Sequence, residues 1–330
     1  MTPDVPRVKI VTTGGTICMK VDPRTGGAVP ALSGEDLVAT VRGLDRAARV
    51  QVEEFLRLPG TDMGPSTWAP LVRRLKAIFA GDPGLAGIVV THGTGLLDEA
   101  AYFADLGLDE PRPVVFTGAA RNASIWDTDG PRNILGAARV AASPAAREMG
   151  VLVCLNDQVH AARDAVKRHA NSVEAYMSGD HGLLGNAYGD TVRFYRKPLR
   201  RLHFSVDRID PRVEIVMMYS ECDGRLVQAC IDTKAAGIVV QAVNTGNVNT
   251  GLHNALLKAL EAGIAVVLAT NLPMGQVVPI YGYPGGGKAL ADAGAVLAED
   301  LKPRKARLLL MFALGETRDR KRLQEIFHNA

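Results

Sequence analysis

Short apolar runs that alternate with longer helical patterns place the strongest constraint on how this chain folds. Runs apolar on both faces predict strands at Val8–Val11, Val50–Glu54, Gly87–Thr91, Val114–Thr117, Val151–Leu155, Glu214–Met218, Gly237–Gln241 and Ala265–Ala269. Between them, helices are predicted at Gly34–Val41, Pro65–Ala80, Gly95–Asp105, Asp129–Ala142, Gly251–Ala262 and Gly286–Ala291, with a late helix over Lys305–Leu314. This alternation is typical of a parallel sheet with helices on both sides, so we predict an α/β fold.

The chain divides best at a charged stretch that contains two prolines. With 330 residues it is long enough for two domains. We predict a larger N-terminal domain over residues 1–195, a linker over 196–212 and a smaller C-terminal α/β domain over 213–330, where strand–helix alternation resumes. The basic cluster Arg196–Arg201 is interpreted as part of a solvated linker and not as a binding site for anions.

Composition narrows the possible partners and the compartment. The net charge is +3 and aromatic residues make up 5% of the chain, which gives no support to nucleic-acid binding. No apolar run is long enough to span a membrane, and Met1–Arg7 lacks the apolar core of a signal peptide. We therefore expect a cytoplasmic protein. Four widely spaced cysteines without a CxxC pair predict neither a disulfide framework nor a zinc site.

Two similar loops rich in threonine and glycine follow predicted strands. Thr12-Thr13-Gly14-Gly15-Thr16 follows the first strand, and Thr91-His92-Gly93-Thr94-Gly95 ends the third. The carboxyl ends of strands in an open α/β sheet are where ligands bind. Glycines allow close backbone approach, and threonine hydroxyls can donate, accept or attack. One such loop is usually an ordinary turn, but the repetition indicates a site.

A lysine further along the chain is a candidate base. Lys167 would suit that role in a dry pocket, because burial disfavours the ammonium form. The stretch before it is interpreted as helical, and a lysine after a helix usually lies on the surface. His92 is either a second candidate base or a residue that orients its loop. No zinc-ligand spacing, Walker loop, GxGxxG or GxSxG motif lies near these elements, so the available chemistry is a threonine hydroxyl with a lysine and neither metal nor cofactor.

Taken together, these motifs resemble the bacterial-type L-asparaginase/glutaminase family. The matching segments follow the family's order along nearly the whole chain: Thr13–Ile17, Thr91–Thr94, Pro113–Arg121, Asp129–Asn133, Asn156–Lys167, Gly246–Val248 and Leu301–Arg307. The resemblance implies a two-domain asparaginase-like fold and hydrolysis of a small amide without a cofactor. It also implies a homodimer or homotetramer with sites at the subunit boundary.

The resemblance implies a role for individual residues. Thr13 matches the family's nucleophile, and Thr94 and Lys167 match its second catalytic threonine and the lysine partner. The residues that would contact substrate are Gly14, Gly60, Thr61, Asp62, Gly93, Gly95 and Ala119. The implied mechanism is attack by Thr13 on the amide carbonyl, with the oxyanion held by backbone N–H groups, followed by hydrolysis of an acyl-enzyme.

Departures from the family's pattern bear on the substrate. The family has an aspartate after the second catalytic threonine, which binds the substrate's α-ammonium group, whereas this chain has Gly95 followed by Leu96. Gly60 stands at a position where the family usually has a serine, and no tyrosine lies between Thr13 and Asp62. A buried ammonium without a carboxylate partner is costly. We therefore expect a divergent member whose substrate is not ordinary L-asparagine.

Two alternatives stay open. In the first, the protein is a true cytoplasmic L-asparaginase in which Asp62 or Asp98 supplies the missing carboxylate. In the second, it is a catalytically silent protein that binds a small molecule, although the retention of Thr13, Thr94 and Lys167 favours an enzyme. Residues 19–30, rich in glycine, proline and polar side chains, are either a mobile lid or a passive excursion.

Overall fold

The computed structural model describes residues 5–330, which form two compact units. The first unit extends to Leu199, and the second runs from Arg200 to Ala330. The border between them falls within the stretch 196–212 that is interpreted above as a linker. Each unit is built around its own parallel sheet.

The first unit holds twelve strands and five helices in its described part. Their bounds are β1 Arg7–Gly14, β2 Met19–Val21, β3 Ala28–Pro30, α1 Gly34–Ala39, α2 Leu44–Ala47, β4 Arg49–Leu58, α3 Pro65–Gly81, β5 Gly87–Thr91, α4 Leu97–Gly107, β6 Val114–Thr117, α5 Gly130–Ala142, β7 Val151–Leu155, β8 Gln158–Ala161, β9 Val166–Lys167, β10 Tyr176–Met177, β11 Gly185–Tyr188 and β12 Thr191–Phe194. The predicted mainly parallel sheet with helices is confirmed.

Strand order in the main sheet creates a crevice at the end of β1. The eight strands run in the order β12-β11-β8-β7-β6-β5-β1-β4, and β4, β1, β5, β6 and β7 are parallel. After β1 the chain first adds β4 on one side and later adds β5 on the other. The carboxyl ends of β1 and β5 therefore meet at a topological switch point, which is where ligands bind in sheets of this kind.

The central strands are apolar on both faces because helices cover both sides of the sheet. All residues of β5, β6 and β7 are buried. On one face Val115 belongs to a core cluster with Ile134 of α5. On the other, Phe116 contacts the ring of His92, which in turn contacts Trp68 of α3. Neighbouring residues of β6 thus point into different layers, as the strand period requires.

The interpretation of the stretch before Lys167 as helical is wrong. Asn156 and Asp157 both have positive φ, 49° and 62°, and form a two-residue turn that joins β7 to the antiparallel strand β8. Two successive left-handed residues match the twist of a hairpin, and Asn and Asp tolerate this conformation better than most residues. Strands β8, β11 and β12 extend the sheet in antiparallel fashion, and Lys167 ends β9, which pairs with β10.

The second unit is a smaller parallel sheet with helices, as predicted. Its elements are β13 Val213–Met217, α6 Arg225–Asp232, β14 Gly237–Ala242, α7 Thr250–Glu261, β15 Ala265–Thr270, α8 Gly287–Ala293, β16 Val296–Leu297, α9 Pro303–Leu314 and α10 Arg320–His328. The four strands follow one another in the order β13-β14-β15-β16. Side-chain caps start two of the helices: Asn249 accepts a hydrogen bond from the Leu252 N–H, and Asp319 accepts one from the Arg322 N–H.

Some features are absent from the part of the chain that the structure describes. Over residues 5–330, none of the helices combines the length and the apolar character that crossing a bilayer requires. Within the same range, no group of three or more His, Cys, Asp or Glu side chains is arranged to hold a metal ion. All four cysteines are buried and carry free thiols.

Three loops of the first unit touch one another at glycines. A Cβ on Gly15 would lie 2.4 Å from the Cα of Gly93, and a Cβ on Gly93 would lie 2.6 Å from the Cα of Gly60. Neither position has room for a side chain. Gly15 also has a φ of 82°, which L side chains rarely adopt. The loops after β1, β4 and β5 are therefore held together by direct backbone contact.

Because of this contact, we expect Gly93→Ala to lower the free energy of unfolding by about 2 kcal/mol or more through overpacking. The measurement is chemical denaturation followed by circular dichroism. Gly81→Ala, at the end of α3, is the matched control because a Cβ at this position would meet nothing within 4 Å. That variant should change stability by about 1 kcal/mol or less, in the favourable direction. Equal stability of the two variants would contradict the packing argument.

Candidate active site

Two adjacent threonines at the end of β1 point in opposite directions. Thr13 is 1% exposed, and its Oγ1 donates a hydrogen bond to the main-chain oxygen of Thr91 at 2.8 Å. Thr12 lies instead against the start of α1, where a Cβ on Gly34 would be 3.2 Å from its Oγ1. Strand alternation therefore directs Thr13, and not Thr12, toward the loop that follows β5.

The second threonine is joined to the lysine. Lys167 Nζ donates a hydrogen bond to Thr94 Oγ1 at 2.8 Å. Burial lowers the pKa of Lys167 from its ordinary value of 10.5, and the nearby negative charge of Asp98 opposes this shift. The amine thus loses its proton more readily than a lysine in water, which is what a base requires.

A tyrosine that is not among the residues predicted from the sequence holds the same threonine. The Tyr176 hydroxyl donates a hydrogen bond to the main-chain oxygen of Thr94 at 2.6 Å. Tyr176 is 3% exposed and is the cross-strand partner of Lys167 in the β9–β10 pair. No short motif in the sequence marks this residue, because its contact with Thr94 joins parts of the chain that are far apart.

His92 uses both ring nitrogens in hydrogen bonds to neighbouring residues. Trp68 Nε1 can only donate, so His92 Nε2 accepts this hydrogen bond at 3.2 Å and His92 Nδ1 donates to the Gly93 oxygen at 2.9 Å. Both ring nitrogens are used by a neutral imidazole. Burial lowers the pKa of His92 from 6.5 to about 4, which keeps it neutral near pH 7. Trp68, its partner on α3, is also not marked by any motif in the sequence.

The corner beside Thr94 is open at the position where the resembling family has an aspartate. Gly95 is exposed, Leu96 is half-buried, and a Cβ on Gly95 would meet no atom within 4 Å. Asp98, in the first turn of α4, is 2% exposed, and its charge partly opposes the lowering by burial of the pKa of Lys167 and of His92. A carboxylate is therefore present near the lysine, although not at position 95.

The remaining predicted substrate-contacting residues differ in how much they can offer. Gly60 presents main chain only, packed against Gly93. Thr61 and Asp62 are exposed in a short 3₁₀ turn, and their side chains remain available for a ligand. The Ala119 side chain is part of the core cluster and is 1% exposed, so its main chain alone could contact a substrate.

The described residues thus bring Thr94 and Lys167 into direct contact and tie Thr13 to the same loop through Thr91. Gly14, with a φ of 112°, packs on the main chain of Leu58, and the following N–H of Gly15 donates to the Leu58 oxygen at 3.0 Å. Hydroxyl groups beside an amine of lowered pKa, framed by glycine backbone, suit acyl transfer.

Family models match both units of the chain. The model described as Asparaginase, N-terminal, matches residues 7–200, and the Glutaminase/Asparaginase C-terminal domain model matches residues 212–327.

Curated relatives and a solved structure agree with the models. A "Probable L-asparaginase" from Deinococcus radiodurans is 34% identical, covering 99% of this chain and 98% of the relative. A "Probable L-asparaginase periplasmic" from Haemophilus influenzae is 33% identical, covering 99% of this chain and 93% of the relative. The crystal structure of a "Probable Cytoplasmic L-asparaginase" from Campylobacter jejuni aligns with a TM-score of 0.89 at 30% identity, covering 98% of this chain and 100% of that one.

Fold, site and relatives together define a two-domain α/β amidohydrolase. The chain belongs to the asparaginase family. The resemblance inferred from its sequence motifs is confirmed, and so is the expectation of an enzyme of the amidohydrolase class.

The buried neutral His92 predicts a pH dependence of stability. Between pH 6.5 and about 4 the unfolded chain binds a proton on this residue and the folded chain does not. Stability therefore falls as the pH is lowered through this range, by roughly 3 kcal/mol from this residue. We expect His92→Gln to flatten this part of the pH profile of the free energy of unfolding, measured by urea denaturation. Equal slopes for wild type and His92→Gln would contradict the assignment.

Proposed function

We propose that this protein hydrolyses a small amide with Thr13 as the nucleophile and with Lys167 and Thr94 moving the proton. The observation that carries the proposal is the hydrogen bond from Lys167 Nζ to Thr94 Oγ1, made by an amine whose pKa burial lowers. Thr13 supports it because its hydroxyl donates a hydrogen bond to the main-chain oxygen of Thr91, at the start of the loop that carries Thr94.

The proposed reaction begins at Thr13. Thr13 Oγ forms a bond to the amide carbonyl carbon, and its proton passes through Thr94 to the neutral amine of Lys167. Backbone N–H groups of the two glycine loops stabilise the oxyanion. The C–N bond then breaks, and the proton leaves with ammonia or an amine. Water attacks the resulting ester, releases the carboxylic acid and restores Thr13.

Access to Thr13 requires a movement, because its side chain is 1% exposed and its hydroxyl is bonded to Thr91. We infer that the β2–β3 hairpin, which directly follows the nucleophile loop, serves as the lid. Val21 and Val29, on opposite faces of the hairpin, are each 42% exposed. Its bonds to the segment after β6 include that from the Val21 N–H to Ser124 Oγ at 2.9 Å. Few such bonds must break for a lid to open.

The open space at Gly95 supports a substrate other than free L-asparagine. A site with no carboxylate at this position offers little to an α-ammonium group and leaves room for an acylated or cyclised amide, or for one that lacks the amino group. We therefore propose an amide of this class as the substrate.

L-Asparagine itself is the second candidate. It is favoured by the names of the relatives from Deinococcus radiodurans and Haemophilus influenzae, which are called probable L-asparaginases. It is also favoured by Asp98, a buried carboxylate whose charge acts on Lys167. In this case Asp98 would supply the negative charge that position 95 lacks.

The oligomeric state and the cellular compartment are proposed from the family resemblance. We propose a homodimer or a homotetramer, for which light scattering of the purified protein gives the mass directly. We also propose a cytoplasmic location, because the similar protein of known structure from Campylobacter jejuni is named a probable cytoplasmic enzyme. The relative from Haemophilus influenzae is named periplasmic, so cell fractionation decides this point.

Thr13→Val is the direct test of the nucleophile. The substitution keeps the shape of the side chain and removes the attacking oxygen, so we expect amide hydrolysis to fall by a factor of about 10⁴ or more. Release of ammonia or amine is measured with the wild type's best substrate. Thr12→Val is the matched control, because Thr12 faces α1, and it should keep most of the wild-type rate. Substantial activity in Thr13→Val would place the nucleophile elsewhere, with Thr16 or Thr94 as the next candidates.

A panel of amides combined with Gly95→Asp tests the substrate. L-Asparagine, L-glutamine, N-acetyl-L-asparagine, succinamic acid and a lactam are compared by kcat/KM. We expect the wild type to prefer the amides without a free amino group. Gly95→Asp has room for its side chain and should raise kcat/KM for L-asparagine by about tenfold, which corresponds to one added ionic hydrogen bond. Strong wild-type activity on low concentrations of L-asparagine would instead establish the second candidate.

A further inference from the structure

The two-stranded β9–β10 ladder brings two side chains to one threonine. Lys167 on β9 reaches the Thr94 hydroxyl, and Tyr176 on β10 reaches the Thr94 main-chain oxygen. The two residues stand directly opposite each other in the antiparallel register. Side chains of such a cross-strand pair lie on the same face of the ladder, so Thr94 is held at two atoms from one rigid support.

We propose that Tyr176 is a positioning residue for amide hydrolysis: its hydroxyl fixes the main chain of Thr94 so that the Thr94 side chain stays within hydrogen-bonding distance of Lys167. The inference rests on the proposed function, in which Thr94 and Lys167 move the proton. It adds a residue that touches neither the substrate nor the reacting atoms.

The contact has the geometry of a strong and specific hydrogen bond. The Tyr176 hydroxyl and the Thr94 oxygen are 2.6 Å apart, and the two residues are 3% and 6% exposed. Removing the donor would leave a carbonyl in a place with little water, which costs more than the hydrogen bond gains when it forms. The Thr94 peptide would then turn toward other partners, and its side chain would move with it.

The strand that carries Tyr176 is itself anchored to the main sheet. Ser178, directly after β10, forms a hydrogen bond between its Oγ and Nδ1 of His160 at 2.8 Å. His160 lies in β8, is fully buried, and its ring is 6.4 Å from that of Tyr176. The β9–β10 ladder is thus anchored to the main sheet, which also carries the loop with Thr94.

The charged groups around Lys167 cannot take over the role of the hydrogen bond from Tyr176 to Thr94. Asp98 of α4 acts on Lys167 through its charge. The nearby pair Arg168–Glu174 spans the β9–β10 connection in solvent, with side chains 45% and 50% exposed. A charge at a distance stabilises the ammonium form but does not fix the direction of the Thr94 hydroxyl. A hydrogen bond to the main chain does, because it restricts the peptide itself.

Tyr176→Phe tests the proposal, since it keeps the ring and removes only the hydroxyl. We expect kcat to fall about tenfold, equivalent to about 1.4 kcal/mol, with KM changed by less than about twofold. Tyr195→Phe is the matched control: the Tyr195 hydroxyl also donates a hydrogen bond, to Asn186 Oδ1 at 2.9 Å, but lies in another part of the unit. It should leave both constants unchanged.

A second measurement does not depend on turnover. The pH dependence of Lys167 acetylation by acetic anhydride, read by mass spectrometry with the exposed Lys321 as internal reference, reports the protonation of Lys167. In Tyr176→Phe, water that enters beside Thr94 should relieve part of the burial and move the Lys167 midpoint upward. Ser178→Ala, which loosens the same strand, should move kcat and the midpoint in the same direction by a smaller amount.

The outcomes are distinct. If Tyr176→Phe keeps the wild-type kcat and the wild-type Lys167 midpoint, the positioning role is wrong. Equal losses in Tyr176→Phe and Tyr195→Phe would also overturn it, because they would indicate general destabilisation. If the wild type hydrolyses no amide in the panel, the proposed function fails. The pH midpoint of Lys167 acetylation then still decides whether Tyr176 holds Thr94 against Lys167.

Discussion

The contact between the loops after β1 and β5 is the constraint on which the site depends. At the switch point of the sheet, Gly15 and Gly93 approach so closely that neither tolerates a side chain. This contact places the Thr13 hydroxyl against the second loop, where it donates to the Thr91 main-chain oxygen. Packing therefore brings together, at the switch point of the sheet, two loops that each carry a threonine.

Burial acts differently on the two titratable groups of this loop region. His92 is fully buried with both nitrogens bonded, so it stays neutral and serves as a structural link between α3 and the loop. Lys167 is only half-buried, and its pKa is lowered without the amine losing its hydrogen bond to Thr94. The different degrees of burial of His92 and Lys167 thus suit them to different roles: His92 orients the loop, and Lys167 can accept a proton.

At position 95, the resemblance to the family does not predict which substrate is bound. Thr94 and Lys167 are retained and meet as the family resemblance implies, whereas position 95 is an exposed glycine with free space beside it. In the proposed function, the reaction type rests on Thr94 and Lys167 and the choice of substrate on position 95. Asp98 places a carboxyl group near the lysine, which is why L-asparagine stays the second candidate.

The α/β class, the strands buried on both faces and the family are predictable from the sequence, because continuous apolar runs and ordered Thr/Gly motifs are local signals. The turn at Asn156–Asp157 has a local signal too, since adjacent Asn and Asp between strand-forming residues tolerate left-handed backbone, and the helical interpretation of this stretch is wrong. The direction of the Thr13 hydroxyl toward Thr91 and the hydrogen bond from Tyr176 to Thr94 emerge only in the folded chain. Such contacts join residues distant in the chain, and their energies depend on distance and burial that no local pattern encodes.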